Sequence, residues 1–156
     1  MSQSILMVCL GNICRSPLAE GIMAHLIEER GLSGQLTVDS SGTSGWHVGE
    51  APHRGSIQVA AQHGIDIRRQ QSRQLTVADI DHFDWLVAMD TSNRNGIRHL
   101  DPDDTKADRI VLLLDYADGD APRDVPDPYY EGGFEGVYDL VYRGCEGLLD
   151  HILESR

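Results

Sequence analysis

Val8-Cys9-Leu10-Gly11-Asn12-Ile13-Cys14-Arg15-Ser16-Pro17 decides how the rest of this chain is read. The apolar run Ile5 to Val8 leads into it, and an amphipathic segment follows at once. Strand, tight loop and helix in that order turn backbone N–H groups toward an anion, with the positive end of the new helix beneath them. The loop also has a cysteine at its start and an arginine six positions later. A helix N-terminus and a cation both favour thiolate over thiol, and the thiolate is the nucleophile. Arg15 brings a planar fork of donors that matches two oxygens of a phosphate. The stretch reads as a nucleophile, Cys9, in an oxyanion cradle made of Leu10, Gly11, Asn12, Ile13, Cys14, Arg15 and Ser16. The bland alternative is a buried loop cysteine beside a structural arginine.

Outward from the loop, Ser4 to Cys9 reads as a buried strand. Ser16-Pro17 suits a helix start, since Ser can cap and Pro fits the first helical position. Leu18, Ala19, Ile22, Met23, Leu26 and Ile27 form one apolar face, which Gly31 ends. A second strand is expected at Leu36 to Asp39, and a helix from Pro52 to His63 with Gly64 as its stop. Thr76 to Asp79 looks like a capping box that opens a short helix. Trp85 to Met89 reads as a third strand, Thr91 to His99 as a helix, and Arg109 to Leu113 as a fourth strand. After an irregular stretch from Asp115 to Gly133, a helix from Phe134 to Leu153 closes the chain. Its inward face is Val137, Leu140, Val141, Cys145, Leu148, Leu149 and Ile152. Strands alternating with helices imply an α/β fold with parallel strands, helices on both faces and a ligand at the strands' carboxyl ends.

The 156 residues fit a single domain spanning 1–156. With no apolar run near 18 residues and no basic-plus-apolar leader, neither membrane insertion nor secretion is expected. Three cysteines at no framework-like spacing fit a reducing compartment, and so the cytoplasm. A net charge of −12 argues against nucleic acid as a partner. Such a chain must supply the positive potential for an anion locally. The seven histidines form no zincin-type pair, and Cys9 with Cys14 are too few ligands for structural zinc, so no metal or other cofactor is expected.

The spacing Cys-x5-Arg-Ser is shared by cysteine-dependent phosphatases. In the fuller form Cys-Leu-Gly-Asn-Ile-Cys-Arg-Ser-Pro it resembles the low-molecular-weight protein tyrosine phosphatase family. The resemblance covers essentially the whole chain. It implies a three-layer, flavodoxin-like fold whose four-stranded parallel sheet has the order 2-1-3-4.

A thiolate attacking a phosphate monoester needs its oxygens' charge stabilised and the departing oxygen protonated. The loop meets the first need, and Val125-Pro126-Asp127-Pro128-Tyr129-Tyr130 is the source for the second. Prolines on both sides of Asp127 restrict the backbone that carries its carboxyl. Asp-Pro alone is an ordinary turn dipeptide. Beside Cys9 and Arg15 it reads as the acid, and the Asp-Pro-Tyr-Tyr run resembles the family's general-acid loop. The expected chemistry is attack by Cys9 with protonation by Asp127, then hydrolysis of the phosphocysteine with Asp127 as base. Ser16 can donate to the Cys9 sulfur and stabilise the thiolate.

The resemblance also assigns supporting residues. Trp46 and Tyr129 fall where related enzymes sandwich a phenyl ring, with Tyr130 beside them in the substrate pocket, although such aromatics also serve as ordinary packing. Leu10 and Ile13 are expected to line the same slot. Asn12 is expected to hold the loop through Ser40 and a histidine further on. Here the chain departs, with Gln70-Gln71-Ser72-Arg73-Gln74 where many members read His-x-Ala-Arg-Gln. An uncharged Gln70 would make that network less sensitive to pH. Asp90 either orients Arg15 or caps a helix. Cys14 is the expected redox partner of Cys9, converting a sulfenic acid to a reversible disulfide. Cys145 is assigned no chemistry.

The expected partner is a tyrosine-phosphorylated protein, a cognate tyrosine kinase among the candidates, with inorganic phosphate as product and a monomeric enzyme. Three rival readings share part of this pattern. An arsenate reductase needs a further cysteine pair, and no cysteine lies between Cys14 and Cys145. Arginine phosphatases of the family carry threonine where this chain has Ile13. A non-catalytic phosphotyrosine-binding or redox-sensing module would be expected to lack one of Cys9, Arg15 and Asp127. A nucleotide-binding P-loop is excluded, since Gly-x4-Gly-Lys-[Ser/Thr] does not occur.

Overall fold

The computed structural model describes residues 2–155, with the side chains of all but Tyr130 and Glu131. Its centre is β1 (Gln3–Cys9), whose last five residues are buried. Alternation sends Ile5, Met7 and Cys9 into one apolar cluster and Leu6 and Val8 into another. A strand covered on both faces reads as a continuous apolar run, which is why it stands out in the sequence.

Around β1 stand β2 (Leu36–Gly42), β3 (Trp85–Ala88) and β4 (Ile110–Leu112), all parallel, in the order β2-β1-β3-β4. The strand β2 runs three residues past the expected Asp39, because Ser40, Ser41 and Gly42 pair with Met7, Val8 and Cys9. Helices α1 (Arg15–Glu29), α2 (Arg54–Gln62) and α6 (Phe134–Ser155) cover one face of the sheet. The other face is closed by α3 (Val77–His82) and α4 (Thr91–His99). A single turn, α5 (Pro128–Glu131), interrupts the stretch expected to be irregular, and a 3-10 turn over Leu113–Tyr116 begins it.

Local chemistry explains the boundaries. Gly31, at φ 71°, ends α1, and the N–H of Leu32 reaches back to the Ile27 carbonyl at 2.9 Å. Thr76 and Asp79 form the expected capping box on α3. The start of α1 differs from expectation. The helix begins at Arg15, and the Ser16 hydroxyl points to the Cys9 sulfur instead of capping. On α6 the expected inward residues are buried except Leu140, which is partly exposed; Tyr138 joins them. Among the described residues no helix is long and apolar enough to cross a membrane.

Candidate active site

The loop between β1 and α1 lies at the carboxyl end of the sheet, beside the point where strand order reverses. Its carbonyls are drawn outward one after another. The N–H of Thr43 binds the Cys9 carbonyl at 2.9 Å, and Ser44 binds that of Leu10 through its N–H at 2.9 Å and its hydroxyl at 3.0 Å. Ser72 Oγ binds the Gly11 carbonyl at 3.0 Å, His53 N–H that of Ile13 at 2.7 Å, and Ser56 Oγ that of Cys14 at 3.0 Å. In a planar trans peptide the N–H points opposite the carbonyl. Tying these carbonyls outward therefore turns the N–H groups of Leu10, Gly11, Asn12, Cys14 and Arg15 inward. The Asn12 N–H shows the direction, since it reaches the Cys9 sulfur at 3.3 Å.

Asn12 sits at φ 57°, a left-handed conformation that Asn tolerates better than most residues. Its side chain is buried and fully engaged. Nδ2 donates to Ser16 Oγ at 2.8 Å and to Ser40 Oγ at 3.0 Å, while Oδ1 accepts the Arg73 N–H at 3.0 Å. With a lone pair of Ser16 occupied by Asn12, its hydroxyl hydrogen is left for the Cys9 sulfur 3.0 Å away. Gly42 backs the loop, and a Cβ there would lie 2.7 Å from the Leu10 carbonyl oxygen.

Arg15 is only 2% exposed. Its Nη1 donates to Asp90 Oδ2 at 2.7 Å and to the Val125 carbonyl at 2.9 Å, and Nη2 lies 3.4 Å from Asp127 Oδ2. Its Nε is buried and has no partner among the described residues. Burial opposes the charge, but Cys9, Asp90 and Asp127 outweigh it and lift the guanidinium above its usual range. Asp90 combines both expected roles, since Oδ1 also accepts the Asn93 N–H at 2.7 Å and caps α4.

Cys9, Arg15 and Asp127 line one solvent-open cleft of about 350 Å³ with Leu10, Gly11, Ile13, Cys14, Trp46, His47 and Tyr129. Asp127 comes from the loop before α5 and caps that turn through Oδ1, which accepts the Tyr129 N–H at 3.1 Å. Trp46 and Tyr129 are exposed at the rim, 73% and 47% respectively, where their ring faces can meet a flat group. The Tyr130 side chain lies outside the described residues. Burial, with Cys9 and Asp127 adding to it, pushes the Cys14 thiol up to about 12. Cys145, buried on α6, gives its thiol hydrogen to the Ala19 carbonyl. Among the described residues no three His, Cys, Asp or Glu side chains cluster closely enough to hold a metal ion.

Gln70 is the departure. Its Nε2 donates to the Pro17 carbonyl at 3.1 Å, so it lies beside the Asn12 network and not in it. The Arg73 N–H holds Asn12 instead. Ser72 and Arg73 lie in the stretch that departs from the family pattern but were assigned no role, and His47 and Glu20 carry no motif of their own. Glu20 accepts the Ser40 hydroxyl at 2.6 Å. A carboxylate adjoining the apolar face of Leu18, Ala19, Ile22 and Met23 was the one available hint.

A family model described as low molecular weight phosphotyrosine protein phosphatase matches residues 4–156. The low molecular weight protein-tyrosine-phosphatase YfkJ of Bacillus subtilis is 42% identical over 153 residues, 98% of this chain and 97% of that protein. Its crystal structure superposes with a TM-score of 0.95 over 100% of this chain and 98% of that one. PtpA of Staphylococcus aureus, also described as a low molecular weight protein-tyrosine-phosphatase, is 40% identical over 95% of this chain and 92% of its own. A crystallised protein tyrosine phosphatase from Entamoeba histolytica is 33% identical, with a TM-score of 0.92 over 99% of each chain.

Proposed function

This chain belongs to the low-molecular-weight phosphotyrosine protein phosphatase family, and from that membership we propose that it hydrolyses phosphotyrosine through a phosphocysteine on Cys9. The observation that carries the mechanism is Arg15, charged and oriented by Asp90 on the wall of the cleft it shares with Cys9, with a buried Nε that has no partner among the described residues. Together with the inward amides it suits three phosphoryl oxygens. The Ser16 and Asn12 donors stabilise the sulfur anion, first as nucleophile and later as leaving group.

Asp127 is the proton donor to the leaving phenoxide and then the base for water. Its carboxyl stands on the cleft wall, near Arg15 yet a quarter exposed, where it can meet both the ester oxygen and solvent. Trp46 and Tyr129 at the rim suit an aromatic ring, and apolar Ile13 favours an aryl ester over a charged guanidino group. The substrate class is phosphotyrosine in proteins, with inorganic phosphate as product and no cofactor. Cys14, in the same cleft, is the resolving thiol. Peroxide oxidises Cys9 to the sulfenic acid, and condensation with Cys14 releases water and forms the disulfide. The enzyme acts as a single-domain cytoplasmic monomer.

The test is hydrolysis of p-nitrophenyl phosphate and a phosphotyrosine peptide by wild type, Cys9→Ser and Asp127→Ala, with phosphoarginine and arsenate as separate arms. Turnover of the aryl esters alone, lost in Cys9→Ser, is the expected result. Preferential turnover of phosphoarginine or arsenate, or an active serine variant, would overturn the proposal.

A further inference from the structure

The hydroxyl and amide groups around Cys9 form a directed chain with a carboxylate at its far end. Glu20 Oε1 accepts from Ser40 Oγ at 2.6 Å, and Ser40 Oγ accepts from Asn12 Nδ2 at 3.0 Å. Asn12 Nδ2 also donates to Ser16 Oγ at 2.8 Å, and Ser16 in turn reaches the Cys9 sulfur at 3.0 Å. Each link fixes the next. A carboxylate takes the Ser40 hydrogen, which leaves Ser40 lone pairs for Asn12. Asn12 then occupies a Ser16 lone pair, which sends the Ser16 hydrogen to sulfur. Hydrogen bonds in such a chain polarise one another, and one made to an ionised group is roughly twice as strong as a neutral one. Ser16 has a weaker alternative acceptor, the Ser41 carbonyl at 3.5 Å.

We propose that Glu20 is a positioning residue whose ionisation holds this chain in order, so that Cys9 reactivity and turnover fall when Glu20 takes up a proton. The inference rests on Cys9 being the nucleophile. Protonation turns the Ser40–Glu20 bond from charge-assisted to neutral, slackens the hold on Asn12 in its left-handed conformation and frees Ser16 to turn to Ser41.

Glu20 can titrate in the working range. Burial, with Asp39 adding to it, pushes its carboxyl up to about 7, against the pull of the Ser40 hydrogen bond and of Arg73. Arg73 is itself shared with Asp39 and Asp79, at 3.2 and 3.0 Å. Glu20 also borders a water-open groove with His25 and Glu28 from α1 and with Asp66, Arg69 and Gln70 from the segment after α2, so protons reach it from outside the catalytic cleft.

The test compares wild type with Glu20→Gln, whose amide mimics the protonated acid, by iodoacetamide alkylation of Cys9 and by kcat/KM for p-nitrophenyl phosphate from pH 5.5 to 8.5. The variant should fall below wild type by about threefold to tenfold at pH 8.5, the span of one charge-assisted bond reverting to neutral strength. The two should converge at pH 5.5. Carboxyl-carbon NMR should show Glu20 titrating near neutrality. Ser40→Ala, which cuts the chain but keeps Glu20, should show the same loss with the Glu20 titration still present, and it serves equally if Glu20→Gln does not fold. Profiles that superpose at every pH, a variant faster than wild type, or a Glu20 titrating near the ordinary 4.3 would each overturn the proposal. Alkylation reads the loop without any ester. A wild type that hydrolyses nothing yet alkylates in step with Glu20 would therefore sink the phosphatase assignment and leave this inference standing.

Discussion

Cys9 and Asp127 reach the same cleft from two loops built on opposite principles. The Cys9 loop is short and tied at almost every carbonyl, and its central Asn12 has every side-chain group engaged. The Asp127 loop is long and anchored at few points. Val125 N–H binds the Met89 carbonyl at 2.9 Å, Asp124 accepts from Thr91 at 2.9 Å, and Arg143 holds the Asp118 carbonyl. The side chain of Arg15 is 3% exposed and that of Asp127 27%. One loop must present fixed dipoles to an anion, whose stabilisation depends on their not reorganising. The other must carry a proton between a leaving group and water, so partial exposure serves it.

Cys9→Ser should break the comparison most severely, with kcat for p-nitrophenyl phosphate falling by about 10⁴-fold or more. Asp127→Ala should separate the loops by chemistry. With an unactivated phenyl phosphate the loss should reach about 10²- to 10⁴-fold, and it should be far smaller with p-nitrophenyl phosphate, whose leaving group needs little protonation. Equal losses across a leaving-group series would remove the acid role from Asp127.

How far each loop was legible follows from the same difference. The Cys9 loop is contiguous, so nucleophile, cation and turn residues stand side by side in the sequence, and the strand and helix flanking it are periodic. Asp127 was legible through its two prolines. What ties the loop down was not. Ser44, His53, Ser56, Ser72 and Arg73 act through contacts created only when distant segments pack, and a lone serine carries no spacing signal. Ser16 looked like a helix cap because the cap and the thiolate donor are the same residue type. Gln70 was expected in the Asn12 network by likeness to other members, whereas here the Arg73 backbone supplies that contact, and Glu20 supplies a carboxylate to Ser40.

Gly42→Ala sharpens the contrast by straining the fixed loop alone. A Cβ 2.7 Å from the Leu10 oxygen should cost about 1–3 kcal/mol of stability in chemical denaturation and lower kcat/KM together with it. The smallest effect concerns stability and pH. The Glu20 carboxyl is lifted from 4.5 to about 7 in the fold, so across that window the folded chain binds more protons than the unfolded one, and stability declines as pH rises through it. Glu20→Gln should therefore gain about 1–3 kcal/mol over wild type at pH 8 in denaturant titrations. The gain should vanish at pH 4. A gain equal at both values would contradict the sign.

Trapping the covalent intermediate tests the central claim most directly. Acid quench of the enzyme during turnover, followed by peptide mass spectrometry, should place one phosphoryl group on Cys9, with Asp127→Ala retaining it longer because water lacks its base. Phosphate on any other residue, or undiminished turnover after Cys9 has been fully alkylated, would contradict the account.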